Sequence, residues 1–101
     1  MKIIYQEHVH FGQHDEKGRS VGAWVTLYRE RGETRVQLHA SRNRQAYGAT
    51  PRGTVPTSME PEALRADIER KLTRMHKRYA KLGYGHGSSP KLRALPTEVT
   101  P

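Results

Sequence analysis

Leu64, Ile68, Leu72, Met75, Tyr79 and Leu82 recur at spacings of four, four, three, four and three. At about 100° per residue they fall within an arc of roughly 80°, the stripe of a helix that must bury one side. The pattern predicts a single long helix over residues 59–82. Thr57 followed by Glu60 fits a capping box, and Pro61 sits in the first turn, where a missing N–H costs little. The acids Glu60, Glu62, Asp67 and Glu69 come early and the bases late, as the helix dipole favours. Gly83 is placed to end the helix, with Tyr84 free to pack back on its last turn.

A lone amphipathic helix needs a partner surface, and the first forty residues supply one with a period of two. Residues 2–11 place Ile3, Tyr5, Val9 and Phe11 on one face and Ile4, Gln6, His8 and His10 on the other. Residues 21–30 set Val21, Ala23, Val25 and Leu27 against Gly22, Trp24, Thr26 and Tyr28. Residues 34–40 set Val36, Leu38 and Ala40 against Arg35, Gln37 and His39. Turn chemistry separates them: Asp15, Gly18 and Ser20 in the first connection, Arg31-Gly32-Glu33 in the second. The expected fold is α+β, a three- or four-stranded antiparallel meander packed against one C-terminal helix. The faces carrying Ile3, Val9, Phe11, Val25, Leu27, Val36 and Leu38 should meet the helix stripe. A helix of some 24 residues is about 36 Å long, more than a small sheet needs. Its last turns are expected to project or to pack on a second copy, as in a homodimer.

Two stretches lack such periodicity. Residues 41–58 hold Gly48, Gly53, Pro51, Pro56 and five Ser or Thr, and read as a basic loop, with Ala46-Tyr47 a candidate for a short fourth strand. Residues 85–101, with Gly, Ser and three Pro, offer little to bury and are expected to be a disordered tail. One domain over residues 1–84 follows, and 101 residues suit that size.

Charge is segregated along the chain. The net charge is +8, yet residues 41–58 carry Arg42, Arg44 and Arg52 with no acid. Residues 70–81 carry Arg70, Lys71, Arg74, Lys77, Arg78 and Lys81, again with no acid, so the remainder is close to neutral. The six helix bases span an arc of roughly 120° beside the apolar stripe. Repulsion at i,i+4 among Arg70, Arg74 and Arg78 costs a few tenths of a kcal/mol per pair. A stripe that weakens its own helix points to a polyanionic partner. A solvated face that complements the dipole, or a surface for an acidic protein, fits the same pattern. Trp24, Tyr28 and Tyr47 are the candidate base-stacking residues, since Trp24 and Tyr28 lie opposite the expected core.

Catalytic and metal chemistry finds less support. There is no Cys, which removes disulfides, thiol nucleophiles and Cys-based zinc sites. His8, His10 and His14 are the most metal-like spacing, two histidines on one strand face and a third in the turn, but no zinc signature surrounds them. His39 and His76 among bases would suit general acid–base catalysis in a metal-free ribonuclease-like toxin, without a nucleophile, phosphate loop or paired carboxylates to support it. The Trp-Gly-Arg tripeptide, the RNP aromatic pattern and the GXXG clamp of named nucleic-acid folds are all missing. No apolar run approaches the ~20 residues that cross a bilayer, and no signal-like h-region opens the chain. The expectation is a cytoplasmic, non-enzymatic nucleic-acid-associated module without a cofactor. The alternative is a small inhibitor or adaptor, of the phage or plasmid type, that binds a protein or nucleoprotein machine.

Overall fold

In the computed structural model, which describes residues 2–47, 60–93 and the backbone of 52–55, the alternating segments form one antiparallel sheet. The strands β1 (Lys2–His14), β2 (Ser20–Glu30) and β3 (Glu33–Arg42) run as a meander. The free side of β3 carries two short strands, β4 (Gln45–Ala46) against residues 41–42 and β5 (Arg52–Val55) against residues 34–37. The fourth position in the sheet is therefore one broken lane, and part of the expected 41–58 loop is strand. Both tight hairpins use positive φ at two consecutive residues, Arg31 and Gly32 in one, Asn43 and Arg44 in the other. Those angles give the turn whose twist matches the flanking strands.

The inner face of the sheet is set by register. Glu7, Val9 and Gln13 of β1 stand opposite Val25, Ala23 and Val21, and Leu27, Val25 and Ala23 stand opposite Val36, Leu38 and Ala40. Ile3 departs from the expected face and is half exposed. An extra residue in β1 between Ile3 and Tyr5 shifts the register, so Ile3 pairs with Tyr28 on the outer face. With a side-chain period of two, one inserted residue reverses every side chain beyond it.

Helix α1 (Pro61–Lys81) lays Leu64, Ile68, Leu72 and Tyr79 on that inner face, with Met75 partly buried beside them. Its N-cap is Glu60, whose side chain makes no capping bond, and Thr57 lies outside the described residues. Its C-terminus follows the expectation closely. Gly83, at φ 88°, donates its N–H to Ala80 O, and Tyr84 donates its N–H to Tyr79 O at 3.1 Å. These are the two bonds of a Schellman motif. Tyr84 stacks on Tyr79 at 5.6 Å between ring centroids, while Leu82, placed in the stripe by its spacing, is exposed. The last turn does not project from the sheet: Tyr79 packs beside Phe11 and under the Arg42 guanidinium.

The largest departure from expectation lies beyond the helix. Residues 84–93 form a strap that runs back along β1. His14 N–H donates to Tyr84 O at 2.9 Å, and Ser88 N–H donates to Phe11 O at 3.2 Å. The Gln13 amide donates to the carbonyls of His76 and Gly85, tying strap to helix. Gly87 passes so close to β1 that a Cβ there would stand 2.0 Å from Phe11 O. Leu92, 2% exposed, then closes the core. The domain boundary expected after Tyr84 is thus too early: the fold includes residues 85–93. Residues 94–101 lie outside the described residues.

Candidate functional site

The strap changes what the helix's basic face looks like. Leu92 is held by a pair of helix side chains that act as a neighbouring strand's peptide group would. Glu69 Oε2 accepts the Leu92 N–H at 2.8 Å, and Arg65, ion-paired to Glu69 at 3.3 Å, donates to the Leu92 carbonyl. One residue further, Glu7 Oε2 accepts the Arg93 N–H at 2.7 Å. These bonds fix residues 89–91 alongside the helix.

Between helix and strap lies an open groove of about 490 Å³. Arg70, Arg74 and Lys77 line one wall, and Ser89, Pro90 and Lys91 the other, with Ala66 and Thr73 also contributing. The nearby acids are already engaged. Glu69 holds the strap, and Asp67 pairs with Arg70 and Lys71, both at 3.1 Å. Burial raises the Asp67 carboxyl, but Lys71 and Arg70 outweigh it and hold it below its ordinary range. Among the described residues Arg74, Lys77 and Lys91 have no ion pair. The groove is lined by four cations and one acid whose charge is met by Arg65. It can hold an extended anion.

The other expected contact residues scatter. Lys71 and Arg78 lie on the flank of the helix away from the strap, and Lys81 is exposed at its end, outside the groove lining. Arg44 is exposed in the β3–β4 turn, with one guanidinium nitrogen 3.2 Å from His10 Nε2. The Arg52 side chain lies outside the described residues. Arg42 is a correction: its side chain is 10% exposed and faces inward. Its Nε donates to Asp15 Oδ2 at 3.1 Å, and its guanidinium lies over the rings of Tyr47, Tyr79 and Tyr84. That residue stabilises the fold and is not presented to a phosphate.

Asp15 is the centre of this cluster. Burial alone would raise its carboxyl. The backbone N–H and guanidinium of Arg19, with the Lys17 N–H, overcome that and bring it down to about 2. The polar turn expected at residues 14–18 is therefore also the anchor of Arg42.

On the outer face of the sheet the stacking expectation divides. Tyr28 is 1% exposed, covered within the fold, and presents no free ring face. Trp24 is partly buried, its indole N–H donated to Arg44 O at 2.7 Å and its ring 4.9 Å from His8. Tyr47 is half exposed beneath Arg42 and Arg19. His8 crosses β2 to reach Ser41 on β3, with Nε2 2.7 Å from the hydroxyl, and passes over Gly22. A Cβ on Gly22 would stand 3.0 Å from the His8 ring and 2.4 Å from Val9 O. Burial, together with the neighbouring charges of His10 and Arg44, lowers His8 to about 4. It is a neutral packing residue near pH 7.

His8 and His10 stand 4.6 Å apart by ring centroids, but His14 does not join them. Among the described residues no group of three His, Asp or Glu gathers as a metal site. His39 stands opposite Trp24 on the outer face, whereas His76 sits on the helix beside Phe11. The sheet separates them, so they share no reaction centre. No helix among the described residues is long and apolar enough to cross a membrane.

The residues that sequence reasoning missed are Ser89, Pro90 and Lys91. Their one signal is the isolated Leu92 beside them, the kind of apolar residue that a Gly- and Pro-rich composition hides. The chain matches no family model, no curated protein and no solved structure significantly.

Proposed function

We propose that the protein is a non-enzymatic, nucleic-acid-associated binding module that contacts phosphates through the basic side of α1. The observation that carries this reading is the pair Arg74 and Lys77. Both are exposed, lie opposite the helix's buried stripe, and make no ion pair among the described residues. Their charge serves no packing or pairing role, and together with Arg70 and Arg78 it adds repulsion along the helix. A polyanion supplies the missing counter-charge. Grip on phosphates gives affinity with little sequence selectivity. Binding in the cytoplasm follows from the same reading.

The experiment is a titration of fluorescein-labelled oligonucleotides, read by anisotropy from low to moderate salt. Replacing Arg70, Arg74, Lys77 and Lys81 together by Gln is expected to remove most of the affinity. Gln is a good helix former and relieves the repulsion, so the far-ultraviolet circular dichroism should be retained. Replacing His8, His10 and His14 should leave affinity nearly intact in whatever fraction remains folded. Absence of binding even at low salt, or an unchanged affinity in the helix variant, would overturn the proposal.

A further inference from the structure

The geometry points to a single, unpaired nucleic-acid strand as the occupant of the groove between α1 and the strap, held by its phosphates from both sides. This rests on the reading of the basic face as a phosphate-binding surface and goes on to choose among nucleic acids.

The choice follows from the shape of the basic element. A bare helix with side chains is about 10–12 Å across, and the major groove of a duplex is about 12 Å wide, so only a helix standing clear of its neighbours can enter. Here residues 89–91 lie alongside the basic side, and Lys91 faces Arg70, Arg74 and Lys77 across the groove. Helix plus strap is too broad for a duplex groove. A single strand is narrow and flexible, and it can lie along the channel between them.

The second wall is built before any ligand arrives. Pro90 is buried, Leu92 is in the core, and the Leu92 peptide is bonded at both its N–H and its carbonyl by Glu69 and Arg65. Gly87 fixes the approach to β1 by backbone contact. A ligand therefore meets a preformed channel and does not have to order it, which favours affinity. Glu69, the acid in the groove, is committed to the strap and to Arg65, so its repulsion of a phosphate is reduced.

The lining also states how the strand is read. Among the described residues no aromatic side chain lines the groove, and Trp24 and Tyr47 belong to other surfaces. Without a stacking platform the contacts are to phosphate, from Arg70, Arg74, Lys77 and Lys91, with Thr73 and Ser89 hydroxyls beside them. Base preference should be weak.

The test compares a labelled single-stranded twelve-nucleotide oligonucleotide with the duplex of the same sequence, using the full chain. Single strands of DNA and of RNA are separate arms and show which sugar the channel accepts; tighter binding of either than of the matched duplex supports the proposal. We expect a preference of about tenfold or more at low salt. Four neutralised phosphates predict a slope of log affinity against log salt near −3, from about −0.7 per contact on a single strand. Lys91→Gln should weaken single-strand binding severalfold and flatten that slope by about 0.7. Lys17→Gln, an equal loss of charge in the exposed β1–β2 turn, should leave both unchanged. Thermal unfolding confirms that each variant is folded. A duplex bound as tightly as the single strand would overturn the inference, as would Lys91→Gln behaving like Lys17→Gln. In those cases binding itself, and the function proposed above, would stand. Loss of binding to every oligonucleotide would instead remove that function.

Discussion

At the scale of single residues, two side chains make the fold sensitive to acid in separate windows. His8 has a folded-state value near 4 against an ordinary 6.5. Between those values the unfolded chain binds the proton that the folded chain refuses, so stability falls as pH drops from about 6.5 to about 4. The full loss is about 3 kcal/mol, at roughly 1.4 kcal/mol per unit. Urea unfolding at a series of pH values should show this slope in the wild type and not in His8→Gln, which stays neutral throughout. Asp15 acts lower. Its folded value near 2 lies below the ordinary 3.8, so its contribution is present above pH 4 and disappears as pH falls toward 2. Asp15→Asn should abolish that lower phase and destabilise the protein at neutral pH, because it removes the buried partner of Arg42. Gly87 is a third sensitive position. Its φ is 54°, and a Cβ would collide with the Phe11 carbonyl. Gly87→Ala should release the strap, which limited proteolysis would reveal as new cleavage in residues 84–93.

At the scale of elements, the helix and strap form one unit. Leu92→Ala should cost about 2–5 kcal/mol, the range for deleting a buried aliphatic side chain. Truncation after Gly85 should cost more, since it also strips the Glu7 and Glu69 side chains and the Phe11 carbonyl of their backbone partners. Composition alone suggests the opposite, that such a truncation removes only Lys91 and Arg93 and matters little. Denaturant midpoints of the two variants decide between these outcomes. The helix itself was legible. Leu64, Ile68, Leu72 and Tyr79 are the buried stripe that their spacing announces, and Gly83 and Tyr84 terminate it as expected. Leu82 was not, because its spacing continues the stripe after the backbone has already turned into the cap.

At the scale of the whole molecule, the sheet presents two unlike surfaces. Its inner face is sealed by α1 and Leu92, and its outer face carries His8, Trp24, His39 and Ser41. Apart from Arg44, which lies over Trp24 on the outer face, the unpaired cations Arg74, Lys77 and Lys91 lie outside both, along the solvent side of α1 and the strap. With a net charge of +8, association with an anionic partner should be fast at low salt and slow markedly as salt rises. Stopped-flow measurement of the on-rate against ionic strength checks this, and a rate indifferent to salt would contradict it.

Sequence by itself determined the class of fold, because periodicity is a property of neighbouring residues. A repeat of two marks three strands and a repeat of 3.6 marks one helix, wherever the chain later brings them. It also marked Arg70, Arg74 and Lys77 as a basic face. Only the tertiary structure decided that Arg42 turns inward to Asp15, that Ile3 changes face at a bulge, and that Lys91 joins the helix bases. Each of those outcomes depends on partners distant in the chain: Arg42 on Asp15, Ile3 on its pairing with Tyr28, and Lys91 on the bonds that Leu92 and Arg93 beside it make to Glu69 and Glu7. A single apolar residue after a run of glycine and serine carries no period. Its burial was settled by the gap that the sheet and helix leave between them.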